Sequence, residues 1–377
     1  MTTKIKGYAT PEGTARYASR FVNGGKVSLD PGHFRKREGL AFSSIGIGSY
    51  LGEPDEATDR LYESALEEAV RSGVNVIDSA INYRTQRSER SFGKALSKLI
   101  SVGEFRREEL IVCTKGGFIP FDGSYPKDPL VYFQETYLRP GILAANDVIQ
   151  GCHAMTPRYL EDQIERSLSN LGVETIDLYY LHNPETQLAE IERAEFMQRL
   201  RAAFEFLEQK VKEGKIRMYG AATWNGFRVA PESPDALLLD EIIVAAREAA
   251  GPEHHFKAIQ LPFNLAMPEA WVLPNQRHGP NTLPLLSVAQ ELGVTVIGSA
   301  SLLQARLAGR LPESFTSKFP NFQKSSQCSL QFARSVPGLT TSLVGMKDPS
   351  HVRENLEVGK VPSLTDEELF GMFQEKE

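Results

Sequence analysis

Cysteine is scarce in this chain: Cys113, Cys152 and Cys328 are the only three among 377 residues, and none are spaced as a pair. That excludes a disulfide framework and fits a reducing compartment, the cytoplasm. Long apolar runs are missing too. Nothing approaches the roughly 18 consecutive apolar residues of a membrane-spanning helix. The opening stretch MTTKIKGYATPEG has no apolar core of a secretory signal. Positive charge is not in excess, since 42 Lys and Arg stand against 48 Asp and Glu, a net of −6. The basic patch that a phosphate backbone demands therefore has no compositional basis. Neither a membrane nor a nucleic acid is expected as a partner. The glycine-rich fingerprint GxGxxG is absent as well, because Gly46-Ile47-Gly48 is followed by no third glycine. His254-His255 has no carboxylate or cysteine at ligand spacing, so no metal site is expected.

What is present is the balance of a globular protein, 41% hydrophobic and 24% charged, and a repeating cadence. A helical polar–apolar stretch, a glycine and a short β-branched run recur at 58–78, 157–182, 196–222 and 282–299. Glycine just past a helix supplies the left-handed residue that ends it. Runs apolar on both faces are the mark of parallel strands covered on both sides. Strands are expected at 44–48, 74–78, 110–115, 176–182, 216–222, 257–263, 294–299 and 342–345. Eight parallel strands alternating with helices predict a single-domain (β/α)8 TIM barrel over 41–377. Residues 1–40 read as an amino-terminal extension or hairpin covering the barrel floor. Long connections at 116–156, 224–234 and 264–281 all follow strands, on the C-terminal face where barrels build their sites. Tyr125, Tyr132, Phe133 and Trp271 in these connections are candidates either for a pocket wall or for the loops' own packing.

Asp78, Lys115 and His182 end three successive strands, and Tyr83 lies five residues past Asp78. Buried ionisable groups are costly unless paired, so this grouping calls for a chemical role. A carbonyl that accepts a hydride needs a proton. A phenol can give one, but its ordinary pKa of about 10 is high for work near neutrality. A neighbouring ammonium lowers it. Asp78 can hold that ammonium in place, and His182 can hydrogen-bond the carbonyl oxygen. Cys113 shares the strand parity of Lys115 and reads as a buried, inert thiol.

The segments IDSAINY, TKGG and LHNPE, followed by IQLPFN and VGMKDPSHVRENL, resemble the aldo/keto reductase superfamily in the family's order, over roughly residues 41–360. The resemblance implies a catalytic tetrad of Asp78, Tyr83, Lys115 and His182. It also implies a nicotinamide cofactor lying extended across the barrel mouth, NADP with NAD as the alternative. Gln260 matches the glutamine that contacts the nicotinamide carboxamide. Thr223 stands, after Ala222, where the family often has Ser-Asn, with Asn225 nearby. Ser299 stands where an aromatic usually stacks on the nicotinamide. Lys347 and Arg353 match partners of a 2′-phosphate, and Asn355 a partner of the adenine. The expected activity is hydride transfer to or from a small carbonyl or alcohol. The alternative is a cofactor-binding regulatory subunit with little turnover, since the superfamily includes potassium-channel β subunits.

Overall fold

The computed structural model describes residues 4–22 and 27–373. Its centre is a closed barrel of eight strands: β1 Ile45–Gly48, β2 Val76–Asp78, β3 Ile111–Gly116, β4 Ile176–His182, β5 Ile216–Ala222, β6 Phe256–Pro262, β7 Thr295–Ser299 and β8 Leu339–Gly345. Every neighbouring pair is parallel, and β8 closes on β1. One principal helix follows each strand: α1 Glu56–Arg71, α2 Arg87–Ser101, α3 Pro157–Leu171, α4 Arg193–Lys212, α5 Leu239–Ala250, α6 Leu285–Glu291, α7 Ser325–Ser335 and α8 Pro349–Leu356. The glycines that end the cadence do take the left-handed conformation, Gly172 at φ 65° and Gly293 at φ 68°.

Inward positions of the strands form their own apolar cluster, including Val76, Ile111, Cys113, Leu178, Tyr180 and Ile297. Outward positions pack against the helices in a second, larger core. Ala9, Leu40 and Phe42 join the inner cluster from the amino-terminal side. They come from a segment that folds as a helix, Pro11–Val22, and a hairpin of Phe34–Arg37 with Leu40–Ser43. The hairpin turn is Glu38-Gly39, both residues at positive φ, the two-residue geometry that matches strand twist. The 40/41 boundary thus falls inside a paired hairpin. Asp177, at the start of β4, ties this segment down by accepting from the N–H of Ala9 at 2.6 Å and from Arg107 at 2.7 Å.

Two departures from the sequence reading bear on the site. The helix expected from residue 282 starts at Leu285, because 281–284 pairs with Pro274–His278 as a hairpin and Pro284 supplies the extended residue before the helix. A fourth long connection, 300–324, follows β7. Ala300, Leu303, Gln304 and Ala305 all have φ between 46° and 70°, which excludes a regular helix over 300–305 and leaves only the short helical turns Arg306–Ala308 and Glu313–Thr316 in this connection.

Candidate active site

Strands β2, β3 and β4 are adjacent, so their carboxyl ends bring Asp78, Lys115 and His182 to one side of the mouth. Asp78 and Lys115 are almost fully buried. The Lys115 ammonium donates to Asp78 Oδ1 and, at 2.7 Å, to the carbonyl of Ser79. Asp78 Oδ2 accepts from Gln260 Nε2 at 2.9 Å across the barrel interior. Burial opposes the charge on Lys115, but Asp78 outweighs it and holds the ammonium above its ordinary pKa.

Tyr83 enters from the loop after β2. The Lys115 Nζ lies 5.0 Å from the centre of its ring. The Tyr83 and His182 rings lie 5.8 Å apart at 77°. Burial pushes the Tyr83 phenol up, while the Lys115 charge pulls it back. Burial drives the His182 imidazole well below its usual range, with the Lys115 charge adding to the effect. His182 is therefore neutral near pH 7, with one N–H to donate.

A second histidine holds His182 in place. His153 Nε2 hydrogen-bonds the His182 carbonyl at 2.8 Å, and its Nδ1 meets Gln187 Nε2 at 2.9 Å. Burial lowers His153 to about 4, so it is neutral, with Nε2–H donating and Nδ1 accepting. Gly117 permits this approach, since a Cβ there would stand 2.7 Å from the His182 carbonyl oxygen. Phe118 lies edge-on to both imidazoles, at 5.1 Å and 5.2 Å.

These groups border a cavity of about 690 Å³ at the carboxyl ends of the strands, within the range of small-molecule sites. Asp78, Tyr83 and His182 line it, with Lys115 behind them. Of the other residues singled out from sequence, Thr223, Gln260, Ser299 and Asn355 also line it. Lys347 and Arg353 are exposed and are not part of the wall. Arg353 pairs with Glu68 on α1 at 3.2 Å. Asn225 lies outside this wall as well.

Sequence reasoning missed several wall residues. His351 and Glu354 line the far end together with Ser326. They stand four and one residues before Asn355 on α8, so helical spacing from Asn355 is the signal for His351. Besides Tyr83, the aromatic residues of the wall are Tyr50, Phe118 and Trp224, whereas Tyr125, Tyr132, Phe133 and Trp271 are not in it. Tyr132 packs on Phe121 and Tyr137, and Trp271 on Phe332, Phe370 and Phe373.

Five wall residues carry a buried polar atom with no hydrogen-bond partner: Asn82 Oδ1, His182 Nδ1, Thr223 Oγ1, Ser301 Oγ and Asn355 Oδ1. Buried polar atoms are seldom left unpaired. Orphans spread from the β2 and β4 side of the mouth, past the ends of β5 and β7, to helix α8 suit a long polar molecule lying across it.

Comparison with known proteins gives the same fold and one family. The sequence profile described as the aldo/keto reductase family matches residues 44–326. An uncharacterized oxidoreductase, YqkF of Bacillus subtilis, is 25% identical over 88% of this chain and 91% of its own length. A candidate voltage-gated potassium channel subunit beta of Schizosaccharomyces pombe is 23% identical over 90% of this chain and 91% of its own. Among solved structures, an aldo/keto reductase of Klebsiella pneumoniae in complex with NADP and acetate superposes with a TM-score of 0.60 at 21% identity, covering 89% of this chain and 92% of that one.

Proposed function

The chain belongs to the aldo/keto reductase family, and from that premise we propose that it is an NAD(P)-dependent oxidoreductase acting on a small carbonyl or alcohol, with Tyr83 as the proton donor. The observation that carries this reading is the convergence of Tyr83, Lys115, Asp78 and His182 on one cavity.

The residues present fit a nicotinamide dinucleotide. Thr223, Gln260 and Ser299 would hold its nicotinamide end, and Asn355 its adenine end, where the orphaned Asn355 Oδ1 awaits a donor. The dinucleotide supplies the hydride, or takes it up in the reverse direction. Everything else falls to the chain's own groups. His182 donates a hydrogen bond to the carbonyl oxygen and fixes which face is presented. Tyr83 delivers a proton to that oxygen as negative charge grows on it, and Lys115 stabilises the phenolate left behind. Asp78 keeps Lys115 charged and aimed. Phe118, Tyr50 and Trp224 exclude water and offer flat apolar contact to the substrate. NADP is the proposed cofactor, with Lys347 as the cation for a 2′-phosphate; Arg353, engaged by Glu68, would have to leave its partner to assist. NAD is the alternative.

The test is NADPH-dependent reduction of 4-nitrobenzaldehyde. Tyr83→Phe should lower kcat by about 10²–10⁴ with NADPH binding retained in a calorimetric titration. Full activity in Tyr83→Phe overturns the assignment. The likeness to the channel subunit favours a second reading, a cofactor-binding regulatory protein. Tight NADPH binding with no turnover across a broad carbonyl panel would select it.

A further inference from the structure

A second chamber of about 370 Å³ lies beside the catalytic cavity, between the connections that follow β3, β4 and β5. Asn183 and Trp224 line both spaces, so Trp224 stands between them as a partition rather than a wall of either alone.

The chamber is built around Glu185, which is only 6% exposed. Its Oε1 accepts the backbone N–H groups of Trp224 at 2.8 Å, Asn225 at 3.2 Å and Gly226 at 3.3 Å. That brace fixes the start of the connection after β5 and uses one oxygen. The other, Oε2, is buried and has no partner. A purely structural carboxylate needs both oxygens satisfied, so the spare one calls for a donor that the chain does not provide. Asp235 contributes a second carboxylate to the lining, and Gln150, Thr186 and Asn225 contribute neutral polar groups. Among the described residues, no Lys, Arg or His lines it. The backbone of Gln150 at the rim is held by a third carboxylate, its N–H donating to Glu190 Oε1 at 2.9 Å. With acceptors in excess and cations absent, the field inside favours a positive guest. Burial holds the Glu185 carboxyl up at about 7, the state of an acid that lacks a cation beside it.

We propose that this chamber is a binding site for the far end of the substrate, and that this end is a nitrogen cation bearing N–H donors, a guanidinium or an ammonium. The preferred substrates are then basic aldehydes, whose carbonyl sits at Tyr83 and whose cation passes Trp224 to reach Glu185 Oε2. This inference rests on the oxidoreductase reading for its turnover, though not for its binding.

Isosteric pairs separate charge from shape. Turnover is compared for 4-(guanidinomethyl)benzaldehyde, neutral 4-(ureidomethyl)benzaldehyde and anionic 4-carboxybenzaldehyde, each with NADPH. The guanidinium compound should exceed the urea in kcat/KM by about tenfold or more, the weight of one well-placed charge pair, with the carboxylate last. The guanidinium-to-urea ratio should fall to near one in Glu185→Gln and drop in Asp235→Asn, a half-exposed position whose replacement spares the brace on the β5 connection. In parallel, benzylguanidinium and benzylurea are titrated into the protein by calorimetry, with no reaction involved. Turnover of all three aldehydes with a wild-type ratio near one overturns the chamber and leaves the oxidoreductase reading intact. Absence of turnover, with benzylguanidinium preferred by about tenfold and that preference lost in Glu185→Gln, keeps the chamber and removes the oxidoreductase reading. Equal binding of the two probes without turnover overturns both.

Discussion

The ammonium of Lys115 stands 5.0 Å from the centre of the Tyr83 ring while its hydrogen bonds go to Asp78 and the Ser79 carbonyl. Its charge pulls the phenol pKa down, and Asp78 and the Ser79 carbonyl hold the ammonium there.

The consequence is a shift in the pH profile. Burial raises the Tyr83 pKa and Lys115 lowers it, so removing the charge lets the phenol rise. In Lys115→Met, the loss of carbonyl reduction at high pH should move upward by roughly 1–3 units, the usual effect of a cation at such range. The check is kcat/KM against pH for wild type and variant. An unmoved limb would show that Lys115 does not tune Tyr83.

The loop that carries Tyr83 is held under strain. Arg84, Thr85 and Gln86 are consecutive non-glycine residues at φ 48°, 55° and 69°, a conformation that persists only where the surroundings enforce it. Arg84 does the enforcing. Its buried guanidinium donates to Asp59 Oδ1 at 2.6 Å and to the carbonyls of Glu53 at 2.9 Å and Asp55 at 3.2 Å, and lies 5.2 Å from the Tyr62 ring. Arg84→Ala leaves Asp59 paired with Arg87 but strands the carbonyls of Glu53 and Asp55, so it should cost about 1–3 kcal/mol in denaturant unfolding and lower kcat more than it changes KM. A variant as stable and active as wild type would mean the loop holds its shape without the ion pair.

Glu185 gives the fold a pH dependence of definite sign. Its carboxyl rises from an ordinary 4.5 to about 7 through burial, against the pull of the Trp224, Gly226 and Asn225 amides. Between those two values the folded chain holds a proton that the unfolded chain has lost. This group therefore stabilises the fold less and less as pH climbs through that window. Glu185→Gln lacks the proton, so its stability relative to wild type should improve between pH 5 and pH 8, by up to about 3 kcal/mol. Unfolding free energies measured across that range would show it. A constant difference would place the Glu185 pKa outside the window.

The barrel and the meeting of Asp78, Tyr83, Lys115 and His182 are legible from the chain because each depends on local order. The carboxyl ends of barrel strands lie at the mouth and alternation sends every second side chain inward, while only five residues separate Asp78 from Tyr83. The rest depends on distant partners. Nothing near Arg353 in the sequence reveals that Glu68, on α1, takes up its charge. Tyr125 and Trp271 look as suited to a pocket as Tyr50 and Trp224, and only the folded paths of the loops separate them. The 300–324 connection is not among the long loops expected from the sequence, and its left-handed residues Ala300, Leu303, Gln304 and Ala305 carry no marker such as glycine. The amino-terminal segment hides its role for the same reason: Tyr17 finds its hydrogen-bond partners in the carbonyls of Val70 and Val74.

That segment has a kinetic corollary. With Ala9, Leu40 and Phe42 wedged into the barrel's inner cluster, traffic through the far end is closed, and the rim beside Tyr50 and Trp224 becomes the shared doorway. Two molecules using one doorway cannot exchange independently. On the proposed oxidoreductase reading, whichever is seated deeper would have to arrive first and depart last, giving turnover a compulsory order.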